Sequence, residues 1–191
     1  MSSESHPAAA NTASAPRTAR DRILDTAGRL FYREGYRAIG VDRVIAEADV
    51  AKATFYKHFP SKDALIVAWI EHAETQSAAH LTLQNSATPL TDYALAMIGV
   101  ARNVWCMGCT YQGSAAEFAD PAHPVHAAAL GVKERVLEAM TGHAIAQGLP
   151  DPRHAAERVF LLLEGVWASV RMFGPKAPVD QAPDAVRRLI G

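Results

Sequence analysis

The sequence predicts an all-α protein in which a three-helix head runs directly into a larger helical body. Apolar residues recur at helical spacing almost throughout the chain. No stretch alternates apolar and polar residues as a half-buried strand would. Near the N-terminus, two short apolar-periodic segments are separated only by a break at Asp49 and Val50, which is the pattern of two helices joined by a tight turn.

Residues 1–16, "MSSESHPAAANTASAP", are rich in Ser, Ala and Pro and lack the basic start and long apolar run of a secretory signal. They read as a disordered lead-in. The first helix is expected over residues 17–34, with Ile23, Ala27, Leu30 and Phe31 on one face and Leu24 beside them. Gly35 stops it, and Tyr36 and Ile39 fold back onto its apolar side. The second helix begins at Val41, with Val44, Ile45 and Ala48 completing an i, i+3, i+4, i+7 set. The third covers residues 52–59, turns Phe55 and Phe59 inward, and is closed by Pro60.

Ser61 is a suitable N-cap for a fourth helix that carries Leu65, Ile66, Trp69 and Ile70 and extends to about residue 84. A fifth opens at Thr88-Pro89, with Pro at the first helical position; its apolar positions include Leu95, Ile98, Val104 and Trp105. Gly108, Gly113, Pro121 and Pro124 cut the following stretch into short pieces. Helices are expected over residues 125–147 and, with Asp151 as N-cap before a permitted Pro152, to residue 173. "GPKAP" reads as a linker before a last short helix containing Val186, Leu189 and Ile190. The expected organisation is a lead-in over 1–16, a small three-helix domain over 17–62 and a larger helical domain over 63–191.

An apolar content of 49% over 191 residues supports a packed core. The net charge of −1 excludes a general polyanion binder. The charge is uneven, with ten Lys or Arg against six Asp or Glu from Arg17 to Lys62, and nine against thirteen after Lys62. The head is basic and the body acidic. Cys106 and Cys109 are the only cysteines, so no disulfide framework is expected. No run of about 18 apolar residues occurs, so no membrane span is expected, and a reducing cytoplasm is the expected compartment.

Function is most legible in "VDRVIAEADVAKATFYKHFPSKDAL", residues 41–65. Residues 51–61 contain no acid, and the third helix offers Lys52, Thr54, Tyr56 and Lys57 to solvent, with small Ala53 permitting close approach. Lys and hydroxyl groups reach phosphates and base edges, so this surface suits a DNA major groove. The competing reading is a solvated hairpin in an ordinary helical bundle.

The same stretch resembles the DNA-binding domain of the TetR family of bacterial repressors, whose pattern runs IA-x-x-AGVS-x-G-T-x-Y-x-HF-x-SK-x-x-L. Here it is carried by Ile45-Ala46, Ala48, Val50, Thr54, Tyr56, His58-Phe59, Ser61-Lys62 and Leu65. The preceding "ILDTAGRLFYREGYRAIGV" is similar to the family's first helix and Gly-Tyr turn. The resemblance covers about 50 residues. This chain departs from the pattern at Asp49 for the turn Gly, at Ala51-Lys52-Ala53 for Ser-x-Gly, and at Gly40 for a Ser or Thr cap. Asp can adopt the left-handed turn conformation, so the docking mode is expected to persist with a different sequence preference.

The resemblance implies phosphate contacts from Tyr56 and Lys62 and base-facing positions at Lys52, Ala53 and Thr54. It puts Val41, Asp42 and Arg43 where the second helix meets the backbone. His58 either packs within the head or joins the DNA contacts. Arg17 and Arg20 either reach DNA or are solvated.

It further implies a homodimer on a two-fold operator. The interface is expected on the apolar segment "AAERVFLLLEGVWASVRMF", through Phe160, Leu163, Val166, Trp167 and Val170; the alternative is that this helix is central in its own monomer. "GCTYQGSAAEFADPAHPVH" resembles a GC-x(4)-NAAAEF-x-DP-x-HP run of one branch of the family, and reads as a pocket wall. Trp69, Tyr93, Met97, Trp105, Met107, Tyr111, Phe118 and Met140 are candidate lining residues for an apolar or aromatic effector, with His126 or Glu117 as a polar handle; each alone also fits a core position. Cys106 and Cys109 form a C-x-x-C, which is either inert or a redox pair. As half of a metal site it has no second Cys pair, and His123 and His126 would have to complete the ligand set; the reading adopted expects no metal or cofactor.

The reading is a ligand-responsive, non-enzymatic repressor. One alternative is a redox-sensing regulator using Cys106 and Cys109. Another is a thiol- or metal-dependent enzyme with a helical head, for which the sequence supplies no connected nucleophile, base and orienting group.

Overall fold

The computed structural model describes residues 18–79, 86–103 and 106–190. Among these, the regular elements are α1 (Ala19–Glu34), α2 (Val41–Glu47), α3 (Lys52–His58), α4 (Lys62–Ala79), α5 (Pro89–Ala101), α6 (Thr110–Glu117), α7 (Pro124–Ala146), α8 (Pro152–Phe173) and α9 (Ala182–Ile190), with short 3-10 turns at Gly174–Lys176 and Val179–Gln181. The fold is all-helical, as the periodicity predicts. The expected lead-in, Arg17, Trp105 and the extension of the fourth helix to residue 84 lie outside the described residues.

Capping sets the boundaries. Thr18 and Asp21 form a capping box at the start of α1, each side chain bonded to the other's backbone N–H. Ser61 caps α4 by accepting from the Ala64 N–H at 3.0 Å. Asp151 departs from expectation. Its carboxylate makes no cap bond to α8 and instead meets Nδ1 of His154 at 2.6 Å. "GPKAP" is more ordered than a linker, because the 3-10 turn Gly174–Lys176 and Ala177 lead back onto the second core.

Two buried clusters organise the molecule. The first joins Ile23, Leu24, Phe31, Val44, Phe55 and Phe59 of the head to Leu65, Ile66 and Ile70 of α4, and continues into Phe118, Val125, Ala129 and Val132. The head's core therefore does not stop at α3. The second lies among α5, the far half of α7, α8 and α9, around Leu90, Ile98, Met140, Val159, Leu163 and Val186. Among the described residues, no helix is long and apolar enough to cross a membrane.

Candidate nucleic-acid interface

Phe55 and Phe59 anchor α3. They are 0% and 2% exposed, with ring centroids 5.9 Å apart. Their i, i+4 spacing turns one side of the helix inward and leaves Lys52, Ala53, Tyr56 and Lys57 exposed on the other, while Thr54 and His58 are half-buried. Tyr56 is 46% exposed. Asp49 sits at φ +51°, the left-handed conformation expected of it, and Arg22 donates to the Ala48 and Asp49 carbonyls at 3.4 and 3.3 Å, tying the turn to α1. Neither Gly40 before α2 nor Ala51 before α3 supplies a side-chain cap.

The charged groups around α3 are partly committed. Lys52 Nζ lies 3.1 Å from the Asp42 carboxylate, and that hydrogen bond raises the lysine's pKa. Lys62 donates to the Arg37 carbonyl at 3.2 Å, and partial burial lowers its pKa. Arg43 is paired within the head. Its guanidinium donates to both oxygens of Glu34 at 2.6 and 2.8 Å and to Glu47 at 2.9 Å. These bonds raise its pKa. Arg43 thus ties α2 to α1 while its side chain stays 46% exposed. Val41 packs against the head core, and Arg20 lies over the Phe59 ring at 5.6 Å.

The pocket candidates do not gather around one cavity. Trp69, Tyr111 and Phe118 pack with the first core, while Tyr93, Met97 and Met140 pack with the second. Met107 is exposed. His126 Nδ1 lies 2.8 Å from the Phe118 carbonyl, and both oxygens of Glu117 are bonded to the turn after α1, so neither is a free polar handle. Two clefts open among the described residues, and of these candidates Trp69 lines one of them. One, of about 280 Å³, is lined by Ala101, Arg102, Cys106, Val170, Pro175 and Asp180. Another, of about 670 Å³, lies between α1 and α4 beside Asp21, Trp69 and His72.

Inside the body the structure reveals a polar group that the sequence reading missed. Lys133 pairs with Glu164 and stands 5.8 and 5.6 Å from the Tyr111 and Phe160 ring centroids, while Gln112 donates to the Glu164 carboxylate at 2.8 Å. Residues 31 positions apart on two helices leave no periodic signal in the sequence.

Cys109 is buried and Cys106 half-buried, both as free thiols. The Tyr32 hydroxyl of α1 lies 3.7 Å from Cys106 Sγ, donates to the Gly108 carbonyl at 3.0 Å and accepts from the Met107 N–H at 2.7 Å. Burial pushes the Tyr32 pKa up to about 12. Among the described residues, no three His, Cys, Asp or Glu side chains come together to hold a metal.

Three of the five expected dimer residues, Leu163, Val166 and Val170, are turned inward, while Phe160 and Trp167 are half-buried. Leu163, Val166 and Val170 are 4%, 7% and 3% exposed because they face the monomer's own second core, and Phe160 and Trp167 pack against it. The opposite face of α8 carries exposed Leu161, Gly165, Ala168 and Met172, and α7 exposes Leu130 and Ile145.

Residues 23–69 match the family model for bacterial regulatory proteins of the tetR family. A local likeness joins the head to YerO of Bacillus subtilis, an uncharacterized HTH-type transcriptional regulator. The two are 36% identical over 53 residues, which make up 28% of this chain and 18% of that one. The chain thus spans under a fifth of that relative's length. The transcriptional repressor NemR of Escherichia coli is 24% identical over 186 residues, 90% of this chain and 93% of that one. The crystal structure of NemR in its reduced form has the same fold, with a TM-score of 0.78. SCO4454 of Streptomyces coelicolor, a TetR-family transcriptional regulator, aligns with a TM-score of 0.82 and 33% identity over 90% of this chain and 94% of that one. These relatives are transcriptional regulators, not enzymes, and identity of that level over nearly the whole of both chains establishes that this protein belongs to the TetR family of bacterial transcriptional regulators.

Proposed function

We propose that the protein is a cytoplasmic homodimeric repressor that binds a two-fold DNA operator through α3 and is released by a small, mostly apolar molecule held in the helical body. The observation that carries this reading is the outer surface of α3. Lys52, Ala53, Tyr56 and Lys57 are exposed there together, and the helix contains no acid. Tyr56 and Lys62 are assigned to phosphates, and Lys52, Ala53 and Thr54 to base edges. The test is anisotropy binding of labelled duplex DNA to wild type and to Lys52→Ala/Lys57→Ala. Unchanged affinity in the double variant rejects α3 as the reading surface.

Dimerisation is assigned to the exposed stripe of α8, Leu161, Gly165, Ala168 and Met172, whose 4-3-4 spacing places them on one side of the helix. The small residues permit close approach of a second helix. An effector acts by favouring a body conformation that carries the two heads out of register with successive major grooves. Tyr93 and Met97 supply half-buried apolar surface in the body, and the Lys133–Glu164 pair supplies polarity. Thermal-shift screening with apolar compounds tests this, because a ligand of the folded state raises the melting temperature. Hits that leave DNA affinity unchanged reject the release mechanism.

One observation favours a second reading. Cys106 lines a cleft and is touched by Tyr32 of the head, so oxidation there would reach α1 directly. Peroxide treatment with thiol titration separates the two. Loss of DNA binding in the oxidised form alone supports redox control over a diffusible effector.

A further inference from the structure

The run "EFADPAHP" reads from sequence as a pocket wall, but its side chains grip the DNA-binding head. Glu117, the last residue of α6, accepts hydrogen bonds from two consecutive backbone N–H groups of the turn after α1. Tyr36 N–H reaches Oε1 at 2.9 Å and Arg37 N–H reaches Oε2 at 2.7 Å. Arg37 Nε also donates to the Glu117 carbonyl at 2.7 Å, and its guanidinium lies 4.9 Å over the Phe118 ring. Charge-assisted bonds to both carboxylate oxygens fix the orientation of the turn as well as its position. The fit is close at Gly35, which has φ +91° and where a Cβ would stand 3.0 Å from Glu117 Oε1.

The start of α6 holds the same region. The Tyr36 hydroxyl meets Thr110 Oγ1 at 2.6 Å, and Tyr36 is 2% exposed. Just beyond α6, His123 Nε2 lies 3.5 Å from the Asp63 carboxylate at the first turn of α4. The turn after α1 leads into α2 and then α3, and Lys62 bonds to its Arg37 carbonyl.

The other side of α6 is fastened to α8. Gln112 donates to the Glu164 carbonyl at 3.1 Å as well as to its carboxylate. Gly113 leaves room for Arg171, whose guanidinium nitrogen would be 2.6 Å from a Cβ at that position. Thus α6 stands between the helix assigned to dimerisation and the helices that carry the DNA-reading surface.

We propose that α6 is a brace setting the position of the DNA-binding head relative to the dimer helix, with Glu117 as its positioning residue. Glu117 touches no DNA in this scheme. A head attached only through α4 could swing about that helix; the hydroxyl bonds of Tyr32 and Tyr36 tether it near the start of α6, and the bond pair from Glu117 at the far end of α6 fixes its angle and so the separation of the two recognition helices. This inference rests on the operator-binding reading above.

The test uses DNA selected by the wild-type protein from random duplexes. Affinity is measured for that DNA and for a version with two extra base pairs between its half-sites, using wild type, Glu117→Ala and Glu117→Gln. Circular dichroism and light scattering check that each variant is folded and dimeric. Glu117→Ala is expected to bind the selected DNA about ten-fold more weakly, within the range usual for coupling between sites. It is also expected to lose much of the wild type's penalty for altered spacing. Glu117→Gln, which retains a carbonyl acceptor, is expected to fall between the two. Wild-type affinity and spacing penalty in Glu117→Ala would overturn the proposal. So would an equal loss at both spacings, which marks a general weakening and not lost positioning. If Glu117→Ala does not fold, Glu117→Gln decides alone: a reduced spacing penalty supports the brace and an unchanged one rejects it. A wild-type protein that enriches no two-fold DNA sinks the operator reading itself, and this inference with it.

Discussion

Leu161→Glu should convert the dimer into folded monomers. Leu161 and Met172 are 69% and 79% exposed in the monomer, on the α8 face opposite its core. Burying an aliphatic side chain completely contributes about 1.5–3 kcal/mol, so covering the exposed two-thirds of Leu161 contributes roughly 1–2 kcal/mol per copy and 2–4 kcal/mol per symmetric dimer. Glutamate forfeits that gain, and enclosing two unpaired carboxylates costs about several kcal/mol more. At about 1.4 kcal/mol per factor of ten, dimer affinity should fall at least about a thousand-fold. Sedimentation velocity over a concentration series, with circular dichroism to verify folding, reads this directly. The control is Val166→Glu. Val166 is 7% exposed within the second core, so a charge there should unfold the monomer instead of releasing it. A Leu161→Glu dimer of wild-type affinity, or folded monomers from Val166→Glu, would show that the two faces of α8 have been assigned the wrong way round.

Removing Lys62 should reduce the salt slope of DNA binding by about one unit; equal slopes for wild type and Lys62→Ala would take Lys62 off the list of phosphate contacts. Asp42→Ala should strengthen DNA binding roughly two- to five-fold, since it frees Lys52 and removes a carboxylate from the interface, the scale of an exposed ion pair. Weaker binding in that variant would mean that the Asp42–Lys52 pair orients the lysine usefully. His143, beside the Tyr93 ring at 5.7 Å, has its pKa lowered from 6.5 by burial. The unfolded chain therefore binds more protons below about pH 6.5, and this contribution to stability falls as the solution is acidified through that window toward the folded value. His154 acts in the opposite sense, because its bond to Asp151 raises its pKa; that contribution is present in acid and lost as pH rises. On going from pH 7 to pH 5 the denaturant midpoint should therefore fall less, or rise more, in His143→Gln than in wild type. Identical pH profiles would remove His143 from the account.

Much of the head was readable because its helices are short and sharply punctuated. Asp49 was identifiable as a left-handed turn residue, and its φ of +51° agrees. The spacing of Phe55 and Phe59 told which side of α3 faces inward. Helix α8 was harder, since it is apolar on both its buried and exposed sides. Val159, Leu163, Val166 and Val170 form one stripe, Leu161, Gly165, Ala168 and Met172 another, and periodicity cannot say which of two apolar stripes is covered by the same chain. Arg43 carried one visible clue, Glu47 four residues on, but nothing announced its bidentate bond to Glu34. Glu117 carried none. A carboxylate that bonds backbone N–H groups 80 residues away has no partner side chain for a sequence to reveal.

The central claim is that two copies of this chain read two equivalent DNA half-sites through α3. Sequencing the duplexes that wild-type protein enriches from a random pool tests it most directly. The account predicts an inverted repeat whose half-site centres are spaced to present successive major grooves on one face, about one helical turn or a multiple of it apart. Enrichment of a single unrepeated site, of a direct repeat, or of no sequence at all would contradict it.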